Sequence, residues 1–142
     1  MKPTLPPFPD VDSAPFWEGV RAHRLLVQRC QDCGRLLFPA RPICAHCAGG
    51  TLEWVPVSGR GTVLSWVVTH QVFNKLFADA GPYTTVLVQL EEQADLLMYG
   101  NLADEATGAL VRTGTGTGTG LAVQAVFEDH DEGFTLVQWA AR

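Results

Sequence analysis

The residues best equipped for chemistry are four cysteines in two tight pairs, Cys30-Gln31-Asp32-Cys33 and Cys44-Ala45-His46-Cys47, with ten residues between them. They are all the cysteines of the chain. Two thiolates at this spacing lie on one turn and can face one ion. Two such turns supply the four-sulfur tetrahedral shell that structural zinc takes. Gly34, directly after the first pair, suits the left-handed backbone such a turn often needs. Four protein sulfurs leave no position for water or substrate, so the expected site, Cys30, Cys33, Cys44 and Cys47 around Zn2+, is structural. Iron is the chemical alternative, since the same thiolates bind it. Two disulfides would require an oxidising compartment, and the first residues contain no apolar stretch like that of a signal peptide. A redox pair would use one Cys-x-x-Cys in a βαβ setting. His46 reads as an exposed turn residue, because the shell is already full.

Outside the cysteines, no set of residues reads as catalytic. His23, His46, His70 and His130 are each isolated from obvious partners. His70, at a strand end beside Phe73 and Lys75, is the best placed to line a substrate pocket; the plainer reading is a polar residue at a barrel rim. Arg60 and Lys75 are the cations available to a phosphorylated ligand, which makes Arg60, His70, Phe73 and Lys75 the candidate substrate-binding set. Glu91-Glu92 and Asp129, Asp131 and Glu132 read as solvated charge in turns. With its cysteines on a metal, the chain has no thiol free for nucleophilic attack. The Thr-Gly alternation from Thr113 to Gly120 lacks the Lys-Ser/Thr and the following helix of a phosphate-cradling loop. It reads as a flexible, low-complexity connection.

Charge narrows the classes further. The formal net charge is −5, and a dication held by four thiolates makes it two units more negative. Arg21, Arg24, Arg29, Arg35 and Arg41 crowd around the cysteines, while acids dominate from Glu91 onward. A nucleic-acid binder needs a basic field to release counterions, and the chain as a whole has none. A single-stranded nucleic-acid module, with Trp66, Phe73, Tyr83 and Tyr99 as stacking surfaces, stays open as the less favoured reading. No apolar run approaches the ~20 residues that span a bilayer, so the expectation is a soluble, cytoplasmic protein.

The elements that must position these residues follow from the pattern. Pro3, Pro6, Pro7 and Pro9 make residues 1–13 an extended, mobile segment or one that lies along a partner. Asp12 or Ser13 can cap a short helix with Pro15 in its first turn. Phe16 and Trp17 on that helix either pack on the chain's own barrel or dock another subunit, where large aromatics are favoured. Residues 25–29 and 35–38 read as the hairpin of a zinc ribbon, and Gly49-Gly50 ends that unit, so residues 14–50 are helix and ribbon. From Glu53 the signal is all-β: 53–57 is a short strand start, and 62–70, 83–90, 94–102, 121–128 and 134–139 read as strands. The alternation Leu121, Val123, Ala125, Phe127 is the cleanest. Residues 51–142 are therefore expected to close a five-stranded OB-type barrel, and the fold class is mainly β.

Taken together, Pro15-Phe16-Trp17-Glu18-Gly19, Leu26 to Gly34 with its first cysteine pair, Phe38-Pro39-x-Arg41-x-x-Cys44 and Val57-Ser58-Gly59-Arg60-Gly61-Thr62-Val63 resemble the DUF35 proteins. The resemblance covers residues 15–139. It implies a rubredoxin-like zinc ribbon joined to an OB-fold. It also implies an accessory subunit of acyl-CoA enzymes, whose partner is thiolase-like (an acyltransferase or a steroid side-chain aldolase) or a MaoC-type hydratase that carries the catalytic residues. The OB-fold would then contact the acyl-CoA or shape the partner's site. The Thr-Gly run departs from the family pattern as an insertion ahead of Gly120-Leu121-Ala122-Val123. The end, Leu136-Val137-Gln138-Trp139, lacks the Pro-x-Phe of many relatives. A stand-alone acyl-CoA-binding protein is the third reading.

Overall fold

The computed structural model describes residues 5–71, 73, 75–77, 82–113 and 120–142. The chain enters its first helix through a reciprocal turn. The Asp10 N–H donates to Ser13 Oγ at 3.0 Å, and the Ser13 N–H donates to the Asp10 carboxylate at 2.7 Å. Helix α1 (Ala14–Arg21) follows, with Pro15 in the first turn, where a missing N–H costs nothing. It buries Phe16, Gly19 and Val20. Gly19 has to be small: a Cβ there would lie 2.7 Å from Leu26 Cδ1.

Strands β1 (Leu26–Cys30), β2 (Leu36–Leu37) and β3 (Leu52–Pro56) form a three-stranded antiparallel sheet in the order β2-β1-β3. The sequence groups residues 53–57 with the barrel. In the structure β3 pairs with β1 along its whole length, from Leu26↔Pro56 to Cys30↔Leu52. Strand pattern alone does not name a strand's neighbour, and here both flanking units are β.

The barrel comprises β4 (Arg60–Thr69), β5 (Tyr83–Leu90), β6 (Leu97–Leu102), β7 (Ala122–Asp129) and β8 (Thr135–Ala141), closed in the order β4-β5-β6-β8-β7. All neighbours are antiparallel except β6 and β8, the OB-fold arrangement. A register shift between Val63 and Ser65 bends β4 so that it serves both sides of the closure. One element has no counterpart in the sequence reading: helix α2 (Glu105–Thr113), between β6 and β7. Asp104 opens it by accepting the Thr107 N–H at 2.6 Å. Residues 114–119 of the Thr-Gly run, read as a flexible connection, lie outside the described residues.

One apolar core runs through all three parts. Phe16 and Val20 of α1, Leu25 and Val27 at the start of the ribbon, and Val63, Val86, Val88, Leu90, Met98, Val123 and Trp139 of the barrel belong to one buried cluster. Along β5 every second residue is buried, as a strand with one face on a core requires. The ribbon is also held to the barrel by an amide clamp. Gln93, in the β5–β6 turn, accepts the Leu36 N–H at 2.9 Å and donates to the Leu36 carbonyl at 2.8 Å, as a neighbouring strand would. Arg35 pairs with Asp95 of the same turn.

Candidate metal centre

The four cysteines converge. Their sulfurs all lie within 4.8 Å of one another. Cys30 Sγ is 3.6 Å from Cys47 Sγ, and Cys33 Sγ is 3.7 Å from Cys44 Sγ. These spacings are far too long for disulfide bonds. They fit a tetrahedron of sulfurs around one ion, whose edge is ~3.8 Å when the metal–sulfur distance is ~2.3 Å. Cys30 and Cys44 are buried and Cys33 and Cys47 are exposed, so the centre lies at the surface of the ribbon with one side in the small core of Leu37 and Leu52.

The two turns are built alike. The Gly34 N–H donates to the Cys30 carbonyl at 2.8 Å, and the Ala48 N–H donates to the Cys44 carbonyl at 3.0 Å. Both closing residues have positive φ, 78° at Gly34 and 62° at Ala48. Gly34 carries the expected signal; Ala48 does the same work with a side chain. Backbone N–H groups also point at the sulfurs: His46 N–H to Cys44 Sγ at 3.3 Å and Gly49 N–H to Cys47 Sγ at 3.4 Å. Hydrogen bonds from the Cys47 and His46 backbone, working against burial, bring the Cys44 thiol down to about 7. At Cys47 the Gly49 N–H acts in the lowering direction, yet the neighbouring Cys30 sulfur and burial push it up to about 12. A sulfur cluster in which one thiol ionises easily and its neighbours then resist needs a cation to hold four thiolates together. His46 is not among the sulfurs; its Nε2 lies 3.6 Å from Asp95.

Gln28 supports the centre from below. It is buried on β1, accepts the Arg41 N–H at 2.8 Å and donates to the Arg41 carbonyl at 3.0 Å. This fixes the strand-like approach to Cys44. Neither Gln28 nor Gln93 stands out in the sequence, because a glutamine gives no local signal of a long-range amide clamp.

The candidate substrate residues do not form one site. Arg60 opens β4, and His70 follows its last residue. Nine residues of strand separate them, about 30 Å of contour. Arg60 lies near Glu91, with Nε 3.5 Å from its carboxylate. His70, Phe73 and Lys75 are at the other end of the barrel, where Phe73 is 87% exposed. Phe16, proposed above as an interface residue alongside Trp17, is only 8% exposed. It packs edge-on to Trp17 at 5.0 Å and against Phe38 at 5.3 Å, in the chain's own core. Trp17 stays half-buried.

One surface cleft borders α1 and another borders the residues that follow it. The first, of about 360 Å³, runs along the seam where β6 and β8 part, between Phe16, Trp17 and Phe38 on one side and Tyr99 and Val137 on the other. The other, of about 170 Å³, contains His23, Arg24 and Ser58. His23 Nε2 donates to both Asp129 oxygens, at 3.0 and 2.9 Å, and its ring stacks on Phe127. The residue types of a Ser-His-Asp set are therefore present. They are wired otherwise: Ser58 Oγ donates to Glu92 at 2.6 Å and to Glu91 at 2.9 Å, and no bond to His23 occurs among the described residues.

Two family models match consecutive stretches. Residues 17–53 match "ChsH2, rubredoxin-like zinc ribbon domain" and residues 54–128 match "ChsH2, C-terminal OB-fold domain". A "DUF35 domain-containing scaffold protein" of Methanocaldococcus jannaschii is 33% identical over 124 residues, covering 82% of this chain and 80% of that protein. The "3-oxo-4,17-pregnadiene-20-carboxyl-CoA hydratase alpha subunit" of Mycobacterium tuberculosis is 35% identical over 128 residues, 90% of this chain but 37% of that subunit. A "probable enoyl-CoA hydratase alpha subunit" of Thermomonospora curvata is 36% identical over 88 residues, 61% of this chain and 26% of the relative. The chain thus spans about a third or less of these hydratase subunits. Among solved structures, a chain of the "Ltp2-ChsH2(DUF35) aldolase" superposes with a TM-score of 0.76 at 27% identity, covering 95% of this chain and 98% of that one.

Proposed function

Because this chain belongs to the DUF35 family, with a ChsH2-type zinc ribbon and OB-fold, we propose that it is a non-catalytic accessory subunit of a thiolase-like acyl-CoA enzyme, of the aldolase or acyltransferase type. It binds the enzyme and helps to hold or position the acyl-CoA substrate. The observation that carries this reading is the end-to-end match, 95% of one chain and 98% of the other, to a chain of an assembly titled an aldolase. A chain of this extent is thus found in an enzyme assembly named for two components.

The chemistry of the site agrees with an accessory role. Four sulfurs close the metal shell, so the ion, which we assign as zinc, organises the ribbon and has no position for a substrate. The hydroxyl of Ser58 is bonded to carboxylates and His23 to Asp129. Two of the ribbon arginines are also engaged, Arg29 with Glu53 and Arg35 with Asp95, which weakens the nucleic-acid reading. For substrate contact we keep His70, Phe73 and Lys75, which share one end of the barrel; Arg60, beside Glu91 at the other end, is left out of that group.

A MaoC-type hydratase is the second possible partner, favoured by the two relatives named as hydratase alpha subunits. One experiment addresses both. The chain is co-expressed with the thiolase-like enzyme encoded nearest to it and, separately, with a MaoC-type hydratase, and the mixtures are run on size exclusion with light scattering. A stable complex with the thiolase-like enzyme, and acyl-CoA turnover that falls when the chain is omitted, is the expected result. Co-elution with the hydratase alone selects the second partner, and co-elution with neither ends the accessory reading.

A further inference from the structure

The largest exposed apolar side chains near the helix are not those of Phe16 and Trp17. They belong to the segment before it. Phe8 is 88% exposed, Val11 89% and Leu5 50%. Their spacing is three residues, as is that of Pro3, Pro6 and Pro9. Three is the period of the polyproline helix.

The backbone here has little choice. Pro6, Pro7 and Pro9 fix their own φ near −65°. Leu5, Pro6 and Phe8 each precede a proline, which drives them to the extended region. Residues 5–10 accordingly form no helix, strand or turn, and the turn into α1 begins at Val11. The segment is also anchored. Pro7 and Pro9 line a small cleft with Trp17, Arg21 and Phe134, and the Asp10–Ser13 turn ties the end of the segment to α1. Pro7 is half-buried against the body of the protein, while Pro6, Phe8, Pro9 and Val11 are exposed to solvent. Beside them Asp12 is exposed, and the Asp10 carboxylate is held in its ionised form, below the usual carboxylate range, by hydrogen bonding from the Ser13 backbone and side chain.

We propose that residues 5–10, a preformed polyproline-type stretch, together with Val11 in the turn that ends it, are a ligand that the accessory chain inserts into an aromatic-lined, basic-rimmed groove on its enzyme partner. The proposal rests on the accessory-subunit reading and names the surface that reading lacked. An apolar edge held rigidly in water loses little conformational freedom on docking. Aromatic-lined grooves are the partners that recognise polyproline backbones. The two aspartates set the sign of the rim: Asp10 and Asp12 flank Val11, so a basic groove edge complements the segment.

The test uses the full chain and the thiolase-like subunit that co-elutes with it, with affinity measured by isothermal titration. Phe8→Ser with Val11→Ser removes the apolar edge from positions almost fully exposed, so melting temperature and zinc content should not change. The expected result is binding at least about tenfold weaker. Replacing Pro6, Pro7 and Pro9 together by Gly keeps Phe8 and Val11 but frees the backbone, and should weaken binding by several-fold through entropy. Wild-type affinity in the Phe8/Val11 variant overturns the proposal, as does wild-type affinity in the proline variant. If the chain alone is a dimer that Phe8→Ser/Val11→Ser dissociates, the occupant is a second copy and the proposal is wrong. If the unmodified chain binds no enzyme at all, the accessory reading has failed, and this inference with it.

Discussion

The motif Ser58-Gly59-Arg60-Gly61 contains a very close approach between β4 and β5 of the barrel, and Gly61→Ala measures it. Gly61 is paired on both sides, with Leu90 of β5 and Val123 of β7. A Cβ there would sit 2.5 Å from the Gln89 carbonyl oxygen and 2.7 Å from Val88 Cγ1, against the 3.4 Å at which ordinary contact begins. The Val88 methyl can rotate away. The carbonyl cannot, because it belongs to the backbone of a strand bonded to β4 on one side and β6 on the other. A missing ~0.9 Å against backbone falls in the upper part of the ~1–3 kcal/mol typical of overpacking. Removing glycine's freedom from the unfolded chain returns ~0.4–1 kcal/mol. The net loss is about 2 kcal/mol, or roughly 5–8 °C in melting temperature for a chain of this size. Differential scanning calorimetry on the zinc-loaded protein reads it. Gly50→Ala is the control, since a Cβ at Gly50 meets nothing within 4 Å. A Gly61→Ala melting point within about 1 °C of wild type, or an equal drop in Gly50→Ala, would show that β4 and β5 can part at no cost and that the close approach is not what fixes glycine there.

Other expectations follow from the same geometry. Cys44→Ser, or strong chelation of the wild type, should remove about one zinc per chain by elemental analysis and unfold the ribbon, because metal binding and ribbon folding are one equilibrium; a variant that keeps both its metal and its circular dichroism would contradict the four-sulfur site. Ala48→Gly relieves a left-handed alanine worth ~1–2 kcal/mol, less the extra freedom glycine gains when unfolded, so the melting temperature should rise by about 1–3 °C; a fall would refute the strain. Asp129 is held below the usual carboxylate range by its hydrogen bonds from His23 and then Thr135. Its contribution is therefore present above the unfolded-state value near ~3.9 and is lost as pH falls through the lower folded value. In His23→Ala a carbon-13 titration should show the Asp129 midpoint moving up, and an unmoved midpoint would remove His23 as the cause. Gln93→Ala leaves the Leu36 N–H and carbonyl without their side-chain partners and should speed amide exchange at Leu36 and loosen the ribbon from the barrel, by about 1–2 kcal/mol in urea denaturation; unchanged exchange at Leu36 would refute the clamp.

What the sequence could and could not convey depends on the range of the interaction involved. The cysteine pairs were legible because a tetrahedral ion needs only a short local spacing repeated twice, and Gly34 announces its left-handed turn by residue type. Ala48 makes the same turn without announcing it: there, the hydrogen bond to the Cys44 carbonyl accompanies a left-handed alanine that goes against a local preference of ~1–2 kcal/mol. The barrel strands were legible from alternation, most clearly at Leu121 to Phe127. Their pairing was not: Leu52–Pro56 pairs with β1, and nothing in its residues announces that neighbour. Helix α2 lacks a sharp signal, since Gly108 interrupts it and Thr113 begins the Thr-Gly run. Phe16 and Trp17 show the same limit for surfaces. Adjacent aromatics on a short helix mark an apolar requirement but not who meets it, and the answer depended on where Phe38 and the barrel core lay. With Phe16 covered from within, the most exposed apolar side chains before the helix are Phe8 and Val11, on a backbone whose stiffness is written in its prolines. For a chain of this kind, the docking edge is more readable from backbone restriction plus exposure than from the count of aromatics.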